Sequence, residues 1–140
     1  MINFIAEDIA FPEFFNQEKL NIWLSGLSKS YNVYILGITY IFCSDEYLLG
    51  INKKFLDHDY YTDIITFPYR EGRLLESDIY ISLDRVKDNA TTLGVSYESE
   101  SVRVMAHGLL HLIGFKDKDE EDSAKMRQEE EKAIQSYFSL

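Results

Sequence analysis

The sequence predicts an α+β domain: a small mixed sheet of about four strands flanked by helices, in one unit spanning residues 1–140. Three observations predict it. Segments rich in β-branched and aromatic residues alternate with segments whose apolar residues recur at helical spacing, in the order β-α-β-α-β-β-α-α-α. The third and fourth strands are joined by a short turn, which makes them an antiparallel hairpin and leaves the order of the other strands open. The 140 residues, 46% hydrophobic and 14% aromatic, suffice for one core, and no repeat or low-complexity linker divides them.

Residues 2–5 read as the first strand. Asn16 is an N-cap, and Leu20, Trp23, Leu24, Leu27 and Tyr31 fall at helical spacing, which predicts a helix over 17–30. The run from Val33 to Cys43 is β-branched and aromatic, with Gly37 marking a bulge. Ser44, followed by Asp45 and Glu46, starts a helix that continues to about 55. The polar stretch Asp57 to Tyr61 lacks periodicity and is a loop. Ile64 to Tyr69 is a strand ended by Pro68, Glu71-Gly72-Arg73 a turn, and 76–82 the next strand. Asp78 within it reads as a structural residue that bonds to backbone. Ser82 caps a helix over 83–93 that Gly94 closes, and Ser96 caps one over 97–113. The last helix, over 119–137, begins in acid, which favours its N-terminal dipole.

The net charge of −10 argues against broad electrostatic adhesion to nucleic acid or anionic membranes. It leaves nucleic acid open as a substrate, because charge can be polarised. Acid is concentrated after residue 116, whereas the stretch from Lys53 to Arg103 is nearer balance. Cys43 is the only cysteine, so no intramolecular disulfide forms, and its apolar surroundings predict a buried thiol. No signal peptide and no membrane-spanning run of about 18 apolar residues is visible. These features predict a cytoplasmic protein.

The chemistry is concentrated in Met105-Ala106-His107-Gly108-Leu109-Leu110-His111-Leu112-Ile113-Gly114-Phe115-Lys116-Asp117. His107 and His111 are one turn apart on one helix face, where two imidazoles can chelate a single ion. Gly114 can end the helix sharply, so the chain can double back and carry Asp117 towards them. A two-histidine, one-carboxylate set with a position left for water suits one Zn2+. The spacing H-x3-H-x2-G-x2-D has the gaps of the metzincin pattern H-E-x-x-H-x-x-G-x-x-H. In metalloproteases of that pattern a glutamate follows the first histidine as general base; here Gly108 stands there. Peptidase activity is therefore disfavoured.

His107-Gly108-Leu109-Leu110-His111-Leu112-Ile113-Gly114-Phe115 closely resembles the H-G-x-L-H-L-x-G-Y signature of the YbeY family of endoribonucleases and rRNA maturation factors. Asp117 stands where that family has its third zinc-binding histidine, and Lys116 where it has the preceding aspartate. Ile51 to Phe55 and Asp59 to Pro68 are similar to the family's L-N-x-x-Y-R-x-x-D-x-x-T-D-V-L-S-F-P, and Ser77 to Ser82 to its G-D-I-x-I-S. Met126 and Glu130 fit its M-x-x-x-E tail. One departure bears on catalysis: Leu56 replaces the family arginine, with His58 and Arg70 as candidates to supply its charge.

The resemblance implies a single-strand-specific, metal-dependent endoribonuclease acting in 16S rRNA 3′-end maturation and ribosome quality control. It implies an rRNA precursor as substrate, and the small ribosomal subunit and a ribosome-associated GTPase as partners. It implies zinc on His107, His111 and Asp117, the residues expected to carry catalysis. Asp59 and Thr62 are candidate substrate contacts, as are Arg70 and Arg73, which can meet phosphate. A metal-binding assembly factor with weak or no nuclease activity is the alternative, favoured by Leu56 and the net acidity.

Overall fold

A computed structural model describes all 140 residues, and its elements follow the predicted order. The strands are β1 (Ile2–Ala6), β2 (Tyr34–Cys43), β3 (Ile64–Arg70) and β4 (Leu74–Ser82). The helices are α1 (Gln17–Ser30), α2 (Asp45–Leu56), α3 (Leu83–Leu93), α4 (Tyr97–Ile113) and α5 (Glu120–Phe138). Each predicted cap is present: Asn16, Ser44, Ser82 and Ser96 accept from the backbone amide three residues on. Gly94 closes α3 at φ 70°, where a side chain would be strained.

The sheet order is β1-β2-β4-β3. β1, β2 and β4 run parallel, and β3 pairs antiparallel with β4 as the predicted edge hairpin. The β2–β4 register slips between Ile35 and Gly37, next to the glycine expected to mark a bulge. The third strand does not stop at Pro68 but continues to Arg70. An edge strand tolerates proline, because the missing N–H can face away from the ladder.

Most of the core lies on one sheet face. Trp23 and Leu24 of α1, Val86 of α3, Met105 and Leu109 of α4 and Tyr137 of α5 close over Tyr40, Phe42, Ile79 and Ile81. A smaller cluster on the other face joins Leu48 of α2 to Cys43 and Ile65, so the cysteine is a buried thiol as expected. Tyr40 is fully buried, and its hydroxyl donates to the Met105 carbonyl at 2.9 Å, tying β2 to the middle of α4. Trp23 Nε1 donates to the Ala133 carbonyl at 2.9 Å, and the Tyr31 hydroxyl donates to Glu129. These two bonds dock α5 on α1. Asp78 does not bond to backbone: its carboxylate accepts the Tyr69 hydroxyl at 2.8 Å, a cross-strand bond on the exposed side of the hairpin. No helix is long and apolar enough to cross a membrane.

Candidate active site on the histidine helix

Helix α4 is buried along most of its length, and one stripe is turned towards α5 rather than the sheet. Glu100, Arg103 and His107 form it, at spacings of three and four residues. Position 108 faces the other way. A Cβ placed there would come within 3.0 Å of Ile64 Cδ1 and 3.3 Å of Ile79 Cδ1. Glycine thus allows the helix to lie close on β3 and β4.

Gly114 takes φ 128° and ends α4, its amide donating to the Leu110 and His111 carbonyls at 3.1 Å. The chain then doubles back as the sequence predicts. Asp117 Oδ2 comes to 3.7 Å from His107 Nε2. The Asp117 carbonyl accepts from Ser123 Oγ at 3.2 Å, and Asp119 caps α5. Three turns into α5, Glu130 reaches back to α4. Its Oε2 lies 2.6 Å from His107 Nδ1, and its Oε1 3.2 Å from the Arg103 guanidinium.

Arg103 is forked onto Glu100 at 2.8 and 2.7 Å and lies 4.0 Å from Asp63 at the entrance to β3. Asn89 of α3 also meets Asp63, at 3.4 Å. The hydrogen bonds to Glu100 raise the Arg103 guanidinium further above its ordinary value, against the effect of burial. The hydrogen bond to Glu130 raises the His107 imidazole, also against burial. Burial alone would raise the Glu130 carboxyl, but the His107 bond and the Arg103 charge outweigh it and hold the group below the usual range. Four carboxylates (Asp63, Glu100, Asp117, Glu130) therefore surround one guanidinium and one imidazole. That excess of negative charge suits a cation.

His107 and Asp117 border a cavity of about 570 Å³ between α4 and α5, with Glu100, Arg103 and Glu130 in its wall. The residues fit a metal ion in part. Two ligand bonds of about 2 Å at a tetrahedral angle hold their donors roughly 3.3 Å apart, close to the 3.7 Å between His107 Nε2 and Asp117. The His107 nitrogen facing Asp117 is the one that Glu130 leaves free. His111 is exposed, one turn further along α4, and no three histidine, cysteine or acidic residues form a ready-made ion cage.

The other sequence candidates lie outside this centre. Asp59 is exposed and pairs with Lys53 at 3.3 Å, and Thr62 is half-buried just before β3. Arg70 pairs with Glu76 at 3.7 Å at the distal end of β3, about 20 Å from its entrance at 3.3 Å per residue. Arg73 follows in the exposed turn, and neither arginine lines the cavity. Leu56 ends α2 on the surface. His58 stacks on Tyr60 with its Nδ1 2.9 Å from the Tyr60 hydroxyl. Sequence reasoning missed Glu100 and Arg103 as neighbours of the site. Their spacing with His107 along one face of α4 was the signal for both.

This fold, with a histidine helix whose first imidazole is gripped by one carboxylate and faced by another, defines an α+β domain with an imidazole–carboxylate cluster at a cleft between two helices. The comparisons with known proteins narrow that class. The family model described as Endoribonuclease YbeY matches residues 2–138. An Endoribonuclease YbeY of Porphyromonas gingivalis is 47% identical over 133 residues, covering 95% of this chain and 87% of the relative. One from Cytophaga hutchinsonii is 47% identical over 134 residues, covering 95% and 93%. The solution structure of TM1509 from Thermotoga maritima superposes with a TM-score of 0.75 at 25% identity, over 99% of this chain and 90% of that one. The chain belongs to the YbeY endoribonuclease family.

Proposed function

We propose that this protein is a zinc-dependent endoribonuclease that cleaves single-stranded RNA, with an rRNA precursor as its substrate. The activity rests on the family, whose members named above are endoribonucleases. The metal site rests on one observation: His107 turns an unencumbered Nε2 towards Asp117 at 3.7 Å while Glu130 occupies its Nδ1. In this reading His107, His111 and Asp117 hold one Zn2+. When bound, the ion supplies Lewis acidity beside the scissile phosphodiester.

The remaining residues have defined tasks. His107 binds through Nε2, and the turn at Gly114 brings Asp117 in from the far side. Asp59 and Thr62, before β3, guide the strand of RNA as it enters. Arg70 and Arg73, at the other end of β3, meet phosphates well away from the reacting one. Arg103 is assigned no phosphate, because Glu100 and Glu130 hold its guanidinium through Nε and both terminal nitrogens and offset its charge. The proposed setting is 16S rRNA 3′-end maturation and ribosome quality control in the cytoplasm, with the small ribosomal subunit and a ribosome-associated GTPase as partners.

A second reading keeps the metal but makes the protein an assembly factor with weak or no nuclease activity. The observation favouring it is the lack of a free guanidinium at the centre: Leu56 replaces the family arginine, Arg103 is neutralised and Arg70 is remote. Incubating the protein with single-stranded RNA, duplex RNA and casein, before and after chelation, separates the readings. The nuclease reading expects cleavage of single-stranded RNA alone, lost with the metal and restored by zinc. Metal binding without cleavage selects the assembly factor. Cleavage that survives chelation, or cleavage of casein, overturns both.

A further inference from the structure

Glu130 occupies a place the reaction does not explain. It lies on α5, away from any ligand position, and its side chain is only 5% exposed. An ionised carboxylate that deeply buried is costly unless each oxygen is hydrogen-bonded. Both are. Oε1 accepts from Arg103 at 3.2 Å and Oε2 faces His107 Nδ1 at 2.6 Å. Arg103 is itself fixed, because its Nε and one terminal nitrogen grip both oxygens of Glu100, which is 1% exposed, at 2.8 and 2.7 Å. A planar fork held at two points cannot swing, so its remaining N–H groups have a set direction. The order runs without a break from Glu100 through Arg103 and Glu130 to His107, and ends at Asp117.

We propose that Glu130 is a positioning residue for His107, and that the Glu100–Arg103 pair holds Glu130 in place. A carboxylate accepts and does not donate, so in the neutral ring Nδ1 of His107 carries the proton and Nε2 keeps its lone pair. The ring is also fixed in rotation, so the lone pair is directed at the space before Asp117. Without Glu130 the imidazole is free to protonate Nε2 instead and to turn about its side-chain bonds. The ion pairs along α4 and α5 do more than staple the two helices: they select the tautomer in which His107 can bind a metal. This inference rests on the metal reading for its purpose, but its central statement concerns the ring alone.

The test compares the wild type with Glu130→Gln and Arg103→Lys. Glutamine keeps the shape of Glu130 but can donate to Nδ1 as well as accept, so it no longer enforces one tautomer. Lysine keeps the charge of Arg103 but loses the fork. In metal-free protein at alkaline pH, the ring nitrogen shifts of His107 should report protonated Nδ1 in the wild type, and a mixture of both tautomers in Glu130→Gln. Zinc affinity, measured by competition with a chromophoric chelator, should fall 10–100-fold in Glu130→Gln, and by less in Arg103→Lys. A melting temperature for each variant separates folding from positioning. A variant that melts lower yet keeps the wild-type tautomer and zinc affinity overturns the proposal and leaves Glu130 as a helix staple. Failure of the wild type to bind zinc sinks the metal reading, whereas the tautomer comparison still decides for or against Glu130.

Discussion

His107→Ala should abolish zinc binding and reduce RNA cleavage at least about a thousandfold, equivalent to roughly 4 kcal/mol of transition-state stabilisation. His111→Ala should do the same to activity, but the two variants should differ in stability. His107 is largely buried and is the partner of Glu130 Oε2. Removing it leaves half of a buried carboxylate without a donor, which costs about 1–3 kcal/mol. His111 is exposed, so its removal costs the metal-free fold little. Urea denaturation of the metal-free proteins, beside metal content and cleavage rate, checks both halves. A His111→Ala protein that keeps full metal content and activity contradicts the ligand assignment. Equal destabilisation by the two variants contradicts the account of Glu130's surroundings.

Gly108→Glu restores, on paper, the glutamate of a metalloprotease. It should not create a peptidase and should destabilise the fold by at least about 3 kcal/mol, through overpacking and an unpaired buried charge. The Cβ direction at 108 leads to Ile64 and Ile79, at 3.0 and 3.3 Å, and away from His107's stripe. A carboxylate there cannot serve a water beside His107. Gly108→Ala is the instructive control. Its gain in helix propensity, about 1 kcal/mol, is set against a contact with the mobile end of Ile64, so the net change should be small. A soluble Gly108→Glu protein of wild-type stability that cleaves casein would contradict this.

The fold was legible because its local signals agree. The serine and asparagine caps, the glycine stop after α3 and the change of periodicity between strands and helices all follow from short-range chemistry, and each holds in the structure. Strand ends were harder. Pro68 reads as a stop, but at a sheet edge it breaks no bond, and only the tertiary pairing reveals that β3 is an edge.

At the site, the return of Asp117 to His107 was legible from Gly114, since a glycine at positive φ sets the chain's direction. The task of Glu130 was not. A histidine and a glutamate 23 residues apart meet only because α5 packs along α4. That packing depends in turn on Trp23 and Tyr31 of the α1 region, far from either in sequence. Asp78 failed for a related reason: its partner Tyr69 lies across the hairpin, where the register rather than the sequence decides who meets whom. Leu56 and Arg103 show a third limit. The sequence reveals that an arginine is missing at 56, but only the contacts reveal that the arginine nearest the site is already bound by two carboxylates.

Diffraction from zinc-loaded crystals, recorded on both sides of the zinc absorption edge, tests the central claim most directly. The account predicts a single anomalous peak on α4, bonded to His107 Nε2, a ring nitrogen of His111 and the Asp117 carboxylate, with Glu130 still on His107 Nδ1. A peak that leaves out Asp117, one bonded to His107 through Nδ1, or no peak on α4 at all would contradict it.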